Sequence, residues 1–201
     1  MTSATSRKCV EFFYDFGSPA SYLAFKRLPS LAAERGAAVV WRPMLLGGVF
    51  KATGNASPMM VPAKARWMVG DLQRWAQRHG VAFSHNPHFP INTLTLMRGA
   101  AGLQMRDEAL FARYNEWVFD ALWQRGLNLG DAALLASGLA EIGIEGQVFA
   151  ALVGDPAVKA RLIATTEDAV ARGVFGAPSF FVDDRLYFGQ DRLDFVAEAL
   201  R

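Results

Sequence analysis

The chain has 201 residues, 52% of them apolar and 20% charged, with a net charge of +2 at neutral pH. This suits one large domain, or a small domain carrying an insertion, and it excludes a disordered chain. The near-neutral balance, without long runs of one sign, excludes a nucleic-acid stripe and a polybasic membrane patch, and the single cysteine, Cys9, excludes an intramolecular disulfide, a C-x-x-C pair and a thiolate metal cluster.

Scarce cysteine suits a reducing compartment. The first eight residues, "MTSATSRK", are polar, and no apolar run of signal-peptide or membrane-spanning length follows them. The expectation is a soluble, cytoplasmic protein.

In chain order, "VEFFYDF" (10–16) reads as a strand, apolar on both faces and therefore central. Ser18 and Pro19 suit the N-cap and first position of a helix running to about Arg35. Leu28, Leu31 and Ala32 share one face of it, Pro29 lies inside it and should kink it, and Gly36 stops it. "AAVVWRP" is a second strand, so the unit is strand–helix–strand with a parallel pair.

From about residue 45 to 173 the periodicity is helical. "MVGDLQRWAQRHG" places Met68, Leu72, Trp75 and Ala76 on one face. "DEALFARYNEWVFDALWQRG" does the same with Leu110, Tyr114, Trp117 and Ala121, with Asp107 as cap and Gly126 as terminator. "DAALLASGLAEIG" and "PAVKARLIATTEDAVARG" repeat the pattern. These stripes read as core.

"APSFFVDD" and "RLYFG" make a hairpin around Asp183-Asp184, and "DRLDFVAEALR" is a final helix with Asp191 as cap. The order is β-α-β, a helical block, then β-β-α. This is an α/β, thioredoxin-like fold (residues 8–45 plus 174–201) interrupted by a large all-helical insertion (46–173).

Four places carry chemistry. Ser18 stands where thioredoxin-type enzymes carry C-x-x-C. The plain reading is a helix cap; the functional one is that a helix N-terminus and a hydroxyl together stabilise an anion. No His/Asp pair lies nearby in sequence to activate the serine as a nucleophile. The inference is that the sulfur comes from outside, as a bound thiol.

Pro178, before a strand, is either an edge proline or the cis-proline of a thioredoxin-like fold, which frees the backbone of Ala177 to pair with a peptide-like ligand. In "YFGQDR", Gln190 and Asp191 either cap a helix or hold a ligand's ammonium and carboxylate. Lys51 and Lys64 are surface charges or partners of a substrate carboxylate.

His85-Asn-Pro-His88 has near-metal spacing, but Pro87 breaks any helix and no carboxylate cluster accompanies it, so no metal is expected. There is no G-x-S-x-G, no Walker loop and no G-x-G-x-x-G after a strand.

"FFYDFGSPASYLA", "VVWRPMLLGGVFKATGN", "FPINTLTLMRGA", "GVFGAPSFFVDD" and "YFGQDRLDFV" together resemble the 2-hydroxychromene-2-carboxylate isomerase family, which is related to the kappa-class glutathione transferases and the DsbA-like oxidoreductases. The resemblance implies glutathione as cofactor, with Ser18 as the catalytic serine holding its thiolate. It implies that Ala177 and Pro178 pair with the cysteinyl backbone, and that Phe188, Gly189, Gln190 and Asp191 bind the γ-glutamyl end. Lys51 falls where the family binds the substrate carboxylate, and Asn55, Lys64 and Asn92 where members contact glutathione or substrate.

The implied reaction, from aromatic-hydrocarbon (naphthalene-type) degradation, isomerises a small aromatic keto-acid to trans-o-hydroxybenzylidenepyruvate, in a homodimer. A kappa-like transferase and a non-catalytic thioredoxin-like binding module stand as alternatives.

Overall fold

The computed structural model describes residues 8–201. Its sheet has four strands, β1 (Cys9–Tyr14), β2 (Ala38–Pro43), β3 (Ser179–Val182) and β4 (Arg185–Phe188), in the order β2-β1-β3-β4. β1 pairs parallel with β2 and antiparallel with β3, and β3 pairs antiparallel with β4. β1 is therefore interior to the sheet, as its two-sided apolar sequence requires.

Alternation along β1 builds two cores. Val10, Phe12 and Tyr14 face a large cluster, and Phe13 faces a smaller one with Met44, Val49, Ala169, Val174 and Phe181. In the large cluster Phe12 stacks on Phe180 at 5.3 Å, and Phe119 meets the rings of Tyr14, Phe16 and Phe25. Phe119 lies far along the chain from β1, so the helical stretch shares its core with the sheet.

β1 ends at Tyr14, short of the sequence expectation. The Asp15 carboxylate turns back to accept from the Gly17 N–H at 2.8 Å, which closes a tight turn into α1 (Pro19–Glu34). Ser18, extended, caps α1 by accepting from Ser21 N at 3.1 Å, and Pro19 fills the first position, where no N–H is needed. Pro29 lies within the helix, and Gly36 follows its end at a φ of 63°.

Between β2 and β3 come α2 (Leu46–Thr53), a 3₁₀ turn (Pro58–Met60), α3 (Pro62–His79), α4 (Leu94–Arg106), α5 (Glu108–Trp123), α6 (Ala132–Glu141), α7 (Gly146–Gly154) and α8 (Pro156–Ala171). Asp107 caps α5 as its sequence suggests, accepting from Leu110 N at 2.9 Å. α4 packs on α5, α7 and α8, and α8 also lies against α2. Among the described residues no single helix is long and apolar enough to cross a membrane.

The hairpin turns at Asp183 and Asp184, both at positive φ, which suits the right-handed twist of its strands. The ending differs from expectation. Asp191 does not cap the final helix. Gly189, at a φ of 104°, redirects the chain into a 3₁₀ turn (Gln190–Arg192), and α9 (Leu193–Ala199) begins after it without a side-chain cap.

Candidate active site

The turn 15–18, the start of α1 and the loop before β3 meet at one point. Ser18 Oγ donates to the Ala177 carbonyl at 3.0 Å while it accepts from Ser21 N. The Ala177-Pro178 peptide is cis. In the first turn of α1, Pro19 has no N–H and that of Ser21 is taken by Ser18, which leaves the N–H of Ala20 without an intrahelical acceptor.

These residues form the rim of a cavity of about 170 Å³. Its other walls are mostly apolar, with Leu46 and Phe50 of α2, Met68, Val69 and Leu72 of α3, and Trp123, and Asn55, Ser57 and His85 as polar exceptions. Met68 and Leu72 thus turn toward the cavity, and Ala76, about one turn beyond Leu72 on the same face, is core. A second compartment of about 360 Å³, bounded by Asp15, Asn92 and Thr93, shares Gly17, Phe50, Ser57 and Phe89 with the first.

The expected residues divide. Ser18, Asn55, Ala177, Pro178, Phe188 and Gly189 line the first cavity. Asn55 Nδ2 donates to the Phe175 carbonyl at 2.8 Å, tying the segment after α2 to the loop before Ala177. Asn92 lines the second compartment and accepts from Leu94 N at 3.0 Å, at the start of α4.

Gln190 is buried beside the rim, with its Oε1 unpartnered, and Asp191 is exposed with its carboxylate 3.5 Å from Arg192. Lys51 and Lys64 are exposed, on the last turn of α2 and the first turn of α3, and neither lines either compartment.

Sequence reasoning passed over Asp15. Its side chain is buried and joins three elements: Oδ1 accepts from Gly17 N at 2.8 Å and Thr93 Oγ1 at 2.7 Å, and Oδ2 accepts from Leu46 N at 2.8 Å. Its backbone carbonyl also accepts from Ser18 N at 3.0 Å. Burial pushes the Asp15 carboxyl above the usual carboxylate range, against the pull of the three hydrogen bonds. The signal available in the sequence was an acid between an apolar strand and Gly-Ser-Pro. Among the described residues no cluster of His, Cys, Asp and Glu has the makings of a metal site.

A thioredoxin-type sheet, a capped helix end facing a cis-proline and helices inserted before β3 define the class: the chain belongs to the DSBA-like thioredoxin domain family, whose model matches residues 9–201. Within that class it belongs with the 2-hydroxychromene-2-carboxylate isomerases. It is 32% identical over 196 residues to 2-hydroxychromene-2-carboxylate isomerase of Sphingobium xenophagum, covering 96% of this chain and 98% of that protein. The solved structure of a 2-hydroxychromene-2-carboxylate isomerase superposes with a TM-score of 0.84 at 31% identity, covering 96% of this chain and 94% of that one. Glutathione S-transferase kappa 1 of Rattus norvegicus is 27% identical, over 96% of this chain and 91% of its own length. These relatives support an enzyme of the isomerase or transferase kind.

Proposed function

We propose that the protein is a glutathione-dependent isomerase that converts 2-hydroxychromene-2-carboxylate to trans-o-hydroxybenzylidenepyruvate. The observation that carries this reading is the meeting of Ser18, the N-terminus of α1 and cis-Pro178 at the rim of an apolar cavity, without any cysteine there.

The residues present fit glutathione. Gly176 keeps the rim open, because a Cβ there would lie 2.6 Å from the Phe188 ring. A hydroxyl and a helix N–H stand where a thiolate needs donors, and the Ala177 backbone stands where a peptide-like ligand needs a partner. Bound glutathione would supply a thiolate nucleophile that adds reversibly to a conjugated double bond, allowing rotation about it.

The chain's own part is to hold that thiolate. A free thiol has a pKa of about 8.5, and lowering it about two units requires roughly 2.7 kcal/mol. A hydrogen bond to a charged group contributes about 1.5–3 kcal/mol, from which the surrendered Ser18–Ala177 bond takes back about 0.5–1.5. The end of α1 adds about 0.3–1 kcal/mol, and up to ~2 when partly buried, as Ser18 is. The two effects together give roughly 0.3–4.5 kcal/mol, a span that contains the requirement.

Asp191 would neutralise the ligand's ammonium at the rim. The apolar walls exclude water around the reacting carbons. Lys51 and Lys64, lying outside both compartments, act on the substrate carboxylate in this reading only as long side chains reaching the rim. The reading extends to a cytoplasmic homodimer, which sedimentation equilibrium tests.

Calorimetric titration with glutathione in two buffers of different ionisation enthalpy tests the thiolate claim; binding with proton release is expected, and no binding overturns it. Turnover of 2-hydroxychromene-2-carboxylate with mass spectrometry of the glutathione follows. Unchanged glutathione is expected. Its loss in step with product favours the kappa-like transferase, to which the rat relative already points.

A further inference from the structure

The loop between α3 and α4 presents one imidazole to the cavity. His85 is the single titratable side chain among the described residues that line it. The chain is pinned on both sides of it. Ser84 N donates to the Trp123 carbonyl at 2.7 Å. Buried Asn86 donates through Nδ2 to the carbonyls of Leu122 at 3.0 Å and Leu127 at 2.9 Å, while its Oδ1 accepts from His88 N at 2.8 Å. Residues 84 and 86 are thus fastened to the end of α5 and the turn that follows it, and the backbone between them is held in place.

That ring has an unspent polar atom. His85 Nδ1 is buried with no hydrogen-bond partner. An imidazole carries at least one N–H in either of its protonation states, so the ring can donate to a ligand oxygen in the cavity. Aromatic rings stand beside it: Phe89 lies 6.0 Å from His85 and 5.8 Å from Trp123 between centroids. Trp123 is fixed by its own Nε1, which donates to the Phe16 carbonyl at 2.8 Å.

We propose that His85 is a substrate-binding residue: an aromatic substrate lays its ring against Phe89 and Trp123, and one of its carbonyl or phenol oxygens accepts a hydrogen bond from the imidazole. This rests on the proposed function and deepens it. Ser18 and Ala177 serve the thiol at one end of the cavity, and His85 gives the second ligand a directional contact in a wall that is mostly apolar. An aliphatic keto-acid forgoes the two ring contacts and is the poorer ligand.

The probe is 4-(2-hydroxyphenyl)-2-oxobutanoate, which has the ring, keto and acid groups but no double bond to react. It is titrated by calorimetry into the glutathione-free protein, as wild type, His85→Leu and His85→Gln. His85→Leu should bind it about 10- to 100-fold more weakly, with glutathione affinity and melting temperature unchanged, and His85→Gln, which keeps a donor, should recover part of the loss. Equal affinity in wild type and His85→Leu overturns the assignment, as does absence of binding to the wild type or a loss shared by glutathione. The isomerase reading is judged separately, by turnover of the chromene carboxylate, so either can fall alone.

Discussion

Ser18 Oγ and the Ala177 carbonyl, 159 residues apart in the chain, meet at 3.0 Å and join the first helix to the turn before β3. The hydroxyl's one proton is committed there. In the proposed reading it would rotate to the ligand's thiolate, and the Ala177 carbonyl would be released at the same moment to accept from a peptide N–H, so that one rotation would ready both partners of a peptide-like thiol.

Ser18→Ala removes this device and the cap of α1 together. Cap loss costs about 1 kcal/mol, and at this chain length each kcal/mol lowers the melting temperature by about 2–4 °C. Turnover should fall at least tenfold, well beyond what so small a loss of stability explains. Activity within twofold of wild type would remove Ser18 from the mechanism.

Ser18→Cys asks whether the site stabilises sulfur at all. The thiol would stand at the end of α1 near the free Ala20 N–H, so its pKa should drop below the ordinary value of about 8.5. Thiolate absorbance at 240 nm followed against pH, as the difference from wild type, which carries the exposed Cys9, reads it. A titration at or above the ordinary value would mean that the helix end contributes nothing.

The parts of this site legible in the sequence were those built from local chemistry. Ser18-Pro19 signals a helix start within two residues, and Ala177-Pro178 with the Asp183-Asp184 hairpin signals a turn into a strand. Asp15 and Thr93 carry little local signal because their meaning is tertiary. Thr93 reads as a loop threonine until the fold brings it 2.7 Å from Asp15, 78 residues away. The sequence offers His85 only at near-metal spacing, whereas the role proposed for it depends on Asn86 reaching carbonyls 36 and 41 residues further on. Asp191 misled because a capping pattern was present, and the positive φ of Gly189 decided the backbone instead.

Asp15→Asn should reveal the raised carboxyl through pH. The Asp15 pKa is higher folded than unfolded, so the native state binds the extra proton between the unfolded value of about 3.9 and the folded one. Its contribution to stability is fully present below about pH 3.9 and is lost as pH rises through the folded pKa. Asn turns an NH₂ toward one of three donors and should cost about 1–3 kcal/mol. That cost should be largest near pH 4 and shrink toward pH 8 in paired thermal melts. A cost that grows with pH would mean the carboxyl is held below its ordinary range.

Arg172→Lys tests the network under β1. Arg172 donates to Glu11 at 2.7 Å and lies 3.8 Å over the Phe181 ring, while Arg42 reaches both Glu11 and Asp168. Lysine keeps the charge but loses the planar stack and the fork, so the change is not conservative. The expected loss is about 1–2 kcal/mol, roughly 2–8 °C in melting temperature, with little change in glutathione affinity. An unchanged melting temperature would mean that the stack and the fork add nothing beyond the charge.

Two glycine substitutions separate fold from site. A Cβ on Gly138, in α6, would lie 1.9 Å from the Trp117 ring, which is buried in the core, so Gly138→Ala must move packed atoms and should destabilise by about 1–3 kcal/mol. A Cβ on Gly176 would lie 2.6 Å from Phe188, but that side chain is 41% exposed and can swing outward. Gly176→Ala should therefore leave the melting temperature within about 2 °C, an effect under 1 kcal/mol. Its cost should appear in glutathione affinity, because Phe188 and the Ala177 turn form the rim where the proposed reading puts that ligand. Paired melts and calorimetry on both variants read the contrast. A Gly176→Ala protein that binds glutathione as the wild type does would move the γ-glutamyl contact away from Phe188.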